Sequence, residues 1–218
     1  MFESILSFWK QSDILSVAYK EVGKMLLISK NMYHYSMKVL LEGQQEKRDL
    51  YKEDQQLNKL QIDVRRKVLE HLAISPNQDI TPSLILISII IDIERIGDYS
   101  KNLLELSHKY LEKMEGTYVN EIIKIKKTVD DNFEKTIEAF TKCNKELGKE
   151  VMASHAKIAK KCEAIVEKLV DDPHIGSRLG IIYALLARYL KRVSAHLKNV
   201  SSSVVNPFHR LGYKPEGN

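Results

Sequence analysis

The sequence has little glycine, proline or cysteine and no long hydrophobic run. Its 218 residues include 9 Gly, 5 Pro and 2 Cys, and aromatic residues make up 7%. So few turn-forming residues argue against a fold of many short strands joined by tight turns. Two cysteines without CxxC spacing predict neither a zinc site nor a disulfide framework. The most apolar run, residues 84–91, is far shorter than the ~20 residues that span a bilayer. We therefore expect a soluble, cytoplasmic protein.

Charge and helical periodicity dominate what is present. Hydrophobic residues are 44% of the chain and charged residues 29%, so a core can form and wholesale disorder is not expected. Apolar residues recur at helical spacing and predict six long helices, at about 12–43, 47–73, 81–116, 120–147, 149–170 and 177–205. Thr81 is the predicted N-cap of the third helix, and Gly148 the predicted end of the fourth. Short loops favour antiparallel neighbours in an all-α bundle.

The two ends of the chain are expected to lie outside these helices. The first residues place apolar side chains at helical spacing and predict a short amphipathic helix, with Phe2, Ile5, Leu6 and Trp9 on its apolar face. Docking on protein, either on the bundle or on a second subunit, is the preferred interpretation, and docking on a membrane surface is the alternative. The segment after residue 205 is expected to be irregular and mobile.

The third and sixth helices carry similar sequences. IERIGDYSKNLLEL begins at Ile93 and LKRVSAHLKNVSSS at Leu190, and an offset of 97 residues aligns Lys101 with Lys198. The chain therefore divides into two three-helix repeats, 1–116 and 117–218, expected to pack side by side. Residues 1–116 hold 16 basic and 17 acidic residues, a net of −1, whereas residues 117–218 hold 18 and 12, a net of +6. The whole positive excess thus belongs to the second repeat.

Acidic side chains cluster at one level of the first repeat. Glu94 and Asp98 share a face of the third helix, as Asp54 and Asn58 share a face of the second, because each pair is spaced i, i+4. In an antiparallel hairpin, residues at equal height have a constant index sum, and both Asp54 with Asp98 and Asn58 with Glu94 sum to 152. Carboxylate and amide oxygens are ligands for hard divalent cations. The four residues are therefore a candidate metal site, and a solvated charged face is the alternative.

Motifs for catalysis are not found in the sequence. Glu105-x-x-His108 has the spacing of a di-iron bundle but occurs once, so His108 is expected at the surface. No nucleophile–base arrangement is visible, and we predict no enzymatic activity. Two alternatives remain at this point. One is a metal-dependent enzyme that activates water at the Asp54/Glu94/Asp98 cluster, and the other is a basic, helical nucleic-acid-binding protein, suggested by a pI near 9.0.

The segment IERIGDYSKNL resembles the signature of the PhoU family, the phosphate-uptake regulators. Asp54-Gln-Gln-Leu-Asn58 resembles the family's upstream helix, and the paired three-helix repeat is the family architecture. The resemblance implies an all-α, cytoplasmic, non-enzymatic regulator of phosphate uptake and homeostasis. Its implied partners are a phosphate transporter, a sensor kinase or both, and no nucleic acid is expected. Peripheral membrane association and a homo-oligomer are left open.

The resemblance also bears on metal binding, since some family members bind iron, zinc or other metal clusters through such acidic pairs. Asp54, Glu94 and Asp98 match the family pattern, while Asn58 stands where an acid is usual. A divalent or iron-type ion is therefore implied for the first repeat, as at most one site per chain.

The second repeat departs from that pattern. Lys191 and Ala195 replace the acidic pair, and the helix before them offers only His155 and Ala159 at the same level. These side chains cannot form a hard-cation site, so no second metal site is expected. Lys191 is interpreted either as an internal positive charge or as an exposed lysine.

Overall fold

A computed structural model describes residues 13–214 of the chain. Over that range it contains six α-helices followed by one short 3-10 helix. The helices are α1 Asp13–Glu42, α2 Leu50–Ile74, α3 Ile80–Lys109, α4 Thr117–Lys142, α5 Lys145–Asp171 and α6 Ser177–Val205. The predicted all-α class is confirmed. The amphipathic helix predicted for the first residues of the chain lies outside the described residues.

The six helices form two bundles of three that lie side by side. α1, α2 and α3 pack against one another, as do α4, α5 and α6, and the bundles meet along α3 with α6 and along α1 with α4. Buried clusters cross this boundary: one joins Tyr33 and Ile96 to Phe133 and Leu190. The two repeats therefore share their hydrophobic core. None of the helices within 13–214 has both the length and the apolar character needed to cross a membrane.

The boundary between α4 and α5 differs from the predicted one. α4 ends at Lys142, Cys143 adopts a left-handed φ of 52°, and the Asn144 side chain accepts from the backbone of Glu146 and Leu147 at 3.1 and 3.2 Å. Asn144 is therefore the N-cap of α5. The prediction of a helix end at Gly148 was wrong, because Gly148 lies inside α5 at a close helix contact. A Cβ there would be 2.7 Å from Val205 and 3.1 Å from the Ser201 carbonyl oxygen.

The ends of α3 also differ from the sequence prediction. α3 begins at Ile80, directly after the turn that follows α2, with Asp79 as its N-cap residue in place of Thr81. The Asp79 carboxylate lies 3.1 Å from Nε2 of His71, so it closes the α2–α3 turn. At the other end α3 stops at Lys109, well before Gly116. Arg178 Nε donates to the Lys109 carbonyl at 3.1 Å, which satisfies one of the carbonyl groups exposed at that helix end.

The segment after α6 is folded back on the helices instead of projecting away. Phe208–Arg210 forms the 3-10 helix. The Ser202 hydroxyl accepts from the Gly212 amide at 2.7 Å, and Asn206 Nδ2 donates to the carbonyls of Arg210 and Tyr213 at 3.0 and 2.8 Å. The tail is therefore more regular than expected as far as residue 214, because the side chains of Ser202 and Asn206 bind its backbone groups. Its mobility stays a prediction.

Candidate functional site

The acidic cluster of the first repeat lies where α2 and α3 approach each other closely. Gly97 of α3 faces Leu57 of α2, and a Cβ at Gly97 would be only 2.6 Å from Leu57 Cδ2. This approach buries Asp54 of α2, which is 7% exposed, against the α3 face that carries Asp98. The constant index sum therefore placed these two carboxylates correctly at one level.

A lysine that the sequence reasoning did not select lies between the two carboxylates. Lys101 Nζ is 2.8 Å from Asp54 Oδ2 and 3.1 Å from Asp98 Oδ1. Lys101 follows Asp98 by three residues on α3, so one ammonium group links a neighbour on its own helix to a carboxylate on α2. The i, i+3 spacing of Asp98 and Lys101 was the signal available in the sequence.

The other two residues of the predicted site, Asn58 and Glu94, contact side chains on their own helices. Asn58 Nδ2 donates to Asp54 Oδ2 at 3.2 Å within α2. Arg95 donates to Asp98 Oδ2 at 3.0 Å, and its Nε lies 3.9 Å from Glu94. The structure thus brings Asp54, Asn58 and Asp98 together around Lys101, and Arg95 covers Glu94 and Asp98 from the solvent side.

The electrostatics follow from partial burial and like charge. Burial, followed by the neighbouring carboxylate of Asp98, raises the pKa of Glu94 above its usual range, and Arg95 opposes that effect. For Lys101, burial alone would lower the pKa of the ammonium, but the hydrogen bonds to Asp54 and Asp98 outweigh it and the pKa is raised. Lys101 is therefore held in its charged form.

The arrangement fits an ammonium ion better than a metal ion. Among the residues that the structure describes, no three His, Cys, Asp or Glu side chains are grouped as a metal site requires. Asp54 Oδ1 is buried without a hydrogen-bond partner, but Oδ2 and both oxygens of Asp98 are already bound to nitrogen atoms. The predicted metal site at Asp54, Asn58, Glu94 and Asp98 stays a prediction, and a metal ion would have to displace Lys101.

The cluster opens to solvent through a shallow groove on α3. The groove has a volume of about 310 Å³ and is lined by Tyr51, Arg95, Asp98, Tyr99, Lys101, Asn102 and Glu105. Its walls are polar and carry both signs of charge. Small ions can therefore reach the outer side of the Lys101 ammonium.

At the same level of the second repeat the chemistry is different. Lys191 lies at the surface and its ammonium pairs with Glu163 at 2.5 Å, so its interpretation as an internal charge was wrong. The half-buried lysine of this repeat is Lys198, which donates to the Gly212 carbonyl at 2.7 Å. Burial, followed by the charges of Lys198 and Lys191, lowers the pKa of His155 to about 4. His155 is therefore neutral near pH 7.

The described structure does not bring together the other side chains that the sequence singled out, which are those of Glu105, His108 and the two cysteines. His108 is exposed and binds Glu46 at 3.0 Å, whereas Glu105 accepts from Tyr51 at 3.0 Å, so the two do not converge. Burial raises the pKa of the Cys162 thiol to about 12 and also raises that of Cys143. Both thiols therefore stay protonated and are poor nucleophiles.

These features define a class: an all-α protein of two fused three-helix bundles, with a charged cluster between the second and third helices of the first. The chain belongs to the PhoU family, because the family model described as the PhoU domain matches residues 22–107 and 122–204. The two matches fall in the first and second repeat respectively.

Solved structures share the fold. PhoU from Pseudomonas aeruginosa is 20% identical, with a TM-score of 0.68 over 94% of this chain and 97% of that chain. The phosphate transport system regulatory protein PhoU from Streptococcus pneumoniae is 14% identical, with a TM-score of 0.63 over 94% and 95%. At these identities the likeness establishes the fold. No curated protein sequence matches this chain.

Proposed function

We propose that this chain is a PhoU-like regulator of phosphate uptake and phosphate homeostasis that acts by binding other proteins. The observation that carries the proposal is the PhoU-domain match in both halves, at residues 22–107 and 122–204. The S. pneumoniae relative is named a phosphate transport system regulatory protein, and its fold extends over 94% of this chain. A phosphate transporter and a sensor kinase are the proposed partners, at the cytoplasmic side of the membrane.

The side-chain chemistry supports binding over catalysis. The charges of the first-repeat cluster are mutually compensated by Lys101 and Arg95, and both thiols are held protonated. Nucleophilic catalysis needs a nucleophile within reach of a base that activates it, and a protonated thiol is a poor nucleophile. We therefore propose that the chain works without a catalytic step.

The second repeat is the proposed docking surface for an acidic partner. Residues 117–218 carry a net charge of +6 against −1 for residues 1–116. Lys157, Lys160 and Lys161 are exposed on α5 at i, i+3 and i+4 spacing, so they share one face. Such a basic face speeds association with an acidic surface and makes it sensitive to salt.

Deletion and complementation test the proposal. Loss of the gene should change phosphate uptake, or its dependence on external phosphate, and the wild-type chain should restore it. A triple variant with Lys157, Lys160 and Lys161 changed to Gln should restore it poorly. The matched control changes three exposed first-repeat lysines to Gln and should complement fully; these are Lys20, Lys24 and Lys59.

Affinity purification identifies the partner directly. Tagged wild-type chain should retain a transporter subunit or a sensor kinase from the native organism, and the α5 triple variant should retain less of it at the same salt concentration. Unchanged phosphate uptake in the deletion strain at both low and high external phosphate would contradict the proposed function.

A further inference from the structure

We propose that Lys101 is a built-in cation of the first repeat, which takes the place that a divalent metal would need between α2 and α3. In this chain the acidic cluster is neutralised by its own ammonium group, and a metal ion binds only if that group is displaced. The inference rests on the geometry of the cluster and does not depend on the proposed function.

The first step is the position of the ammonium group. Lys101 Nζ lies within hydrogen-bond distance of carboxylates on two helices, at 2.8 Å from Asp54 and 3.1 Å from Asp98. Asp54 is 7% exposed, so its charge needs a partner. The lysine supplies a positive charge and up to three donors without any ligand from solution.

The second step is the number of oxygen atoms left for a metal. Both oxygens of Asp98 accept from cationic nitrogen atoms, one from Lys101 and one from Arg95. Asp54 Oδ2 accepts from both Lys101 and Asn58, and Oδ1 is buried without a partner. Hard divalent cations take about six oxygen ligands, including water. A metal at this place would have to break the contacts of Lys101 first.

The third step is the corresponding position in the other repeat. Lys198, offset by 97 residues, also projects its amine toward a partner outside its own helix, the carbonyl of Gly212. Lys101 and Lys198 therefore occupy equivalent positions along the third helix of their repeats, and both direct the amine away from that helix. In the first repeat, the carboxylates of Asp54 and Asp98 lie within reach of that amine.

Titration of the full-length chain with Mn²⁺, followed by the EPR signal of the free ion, tests the inference. Mn²⁺ is suited to carboxylate and water ligands. We expect Lys101→Met to bind one Mn²⁺ at least ~10-fold more tightly than the wild type, because one adjacent positive charge is removed. Adding Asp54→Asn to Lys101→Met should abolish that gain.

Lys198→Met is the matched control, since it removes the equivalent amine where no carboxylate pair is present, and it should bind Mn²⁺ as the wild type does. Lys101→Arg, which keeps the charge, should also remain like the wild type. The inference is overturned if Lys101→Met binds no more tightly than the wild type. It is also overturned, even if no Lys101 variant folds, by one micromolar Mn²⁺ site in the wild type that Asp54→Asn removes.

Discussion

Lys101 and Lys198 occupy the same position in the two repeats, yet their amines meet opposite surroundings. Lys101 lies between the carboxylates of Asp54 and Asp98, and the pKa of its ammonium is raised although burial alone would lower it. Lys198 donates to the backbone carbonyl of Gly212, and burial lowers its pKa with only partial compensation by Asp92. One lysine is stabilised by full charges and the other by a dipole.

The difference bears on the C-terminal segment, which folds back so that its Gly212 carbonyl meets the amine of Lys198. A half-buried ammonium needs an acceptor, because burying an unpaired charge is costly. The second repeat has Lys191 and Ala195 where the first has Glu94 and Asp98, so no carboxylate is available from that helix. The Gly212 carbonyl supplies the acceptor in their place. The same segment also packs on the first repeat, because its 3-10 helix contacts α3 and Phe208 and Leu211 pack against the core cluster that contains Leu57 and Ile93.

The largest expected difference between the repeats comes from removing each amine. Lys101→Met should lower the free energy of unfolding by about 3 kcal/mol, because it leaves Asp54 buried and unpaired. Lys198→Met should cost about 1 kcal/mol or less, since it loses one hydrogen bond to a neutral group and relieves an unfavourable burial. Urea unfolding followed by circular dichroism measures both.

Arg95→Met is the control for the first of these changes, because Arg95 pairs with Asp98 on the solvent side. An exposed pair contributes about 0–1 kcal/mol. Equal losses for Lys101→Met and Lys198→Met would show that Lys101 does not act as the internal cation of the first repeat.

The second expected difference between the repeats is the cost of replacing the glycine at a close helix–helix contact, Gly97 in the first repeat and Gly148 in the second. At Gly148 a Cβ would be 3.1 Å from the backbone oxygen of Ser201, whereas at Gly97 the nearest atom is the end of the Leu57 side chain, at 2.6 Å. Backbone cannot give way as a leucine methyl can, so Gly148→Ala should destabilise by about 2 kcal/mol and Gly97→Ala by less.

Gly23→Ala is the matched control for these two variants. Gly23 lies within α1, and a Cβ added there would have no atom within 4 Å, so alanine should stabilise the helix by about 0.5–1 kcal/mol. Thermal unfolding of the three variants gives the order. A stabilising Gly148→Ala would contradict the close α5–α6 contact.

A smaller effect is expected at the segment that supplies the acceptor of Lys198. Gly212 has φ of +78°, and a Cβ there would be 3.0 Å from Asn199 Oδ1. Gly212→Ala should therefore cost about 1 kcal/mol and loosen the contact with Lys198. Gly176→Ala, with φ of −64° and open space around its Cβ, is the control and should be neutral. Amide hydrogen exchange of residues 206–214 should rise only in Gly212→Ala.

The sequence was sufficient for the parts of this comparison that depend on helical period. The six helices, the internal offset of 97 residues and the common level of Asp54 and Asp98 all follow from spacing along nearly straight helices. In two antiparallel helices, the residue number determines the position of a side chain along the common axis. Side chains at the same position along that axis can come into contact.

What the sequence did not predict depends on the direction of side chains and on contacts between distant segments. A glycine that ends a helix and a glycine that allows close helix packing look alike in sequence. The sequence therefore predicts a helix end at Gly148, whereas the structure has the boundary at Asn144, the N-cap of α5. The reach of Lys101 to another helix depends on its long side chain and on the α2–α3 distance. Likewise, the acceptor of Lys198 comes from Gly212, beyond the end of its own helix.

The expected effect that is smallest near neutral pH is a pH dependence that His155 contributes in the second repeat. The pKa of His155 is lowered to about 4 by burial and by Lys198 and Lys191, whereas in an unfolded chain histidine titrates near its ordinary value of 6.5. Between those two values the unfolded state binds more protons, so stability is complete above about pH 6.5 and falls as the pH drops toward 4. His155→Gln should flatten this part of the stability curve.

NMR titration of the His155 ring checks the cause as well as the effect. The wild-type ring should titrate near pH 4, and Lys198→Met should shift the midpoint upward, because the charge of Lys198 lowers the pKa of His155 more than that of Lys191 does. Lys101→Met, at the same position of the other repeat, should leave the His155 midpoint unchanged. A wild-type midpoint near 6.5 would mean that the level where the first repeat holds its carboxylates is open to water in the second.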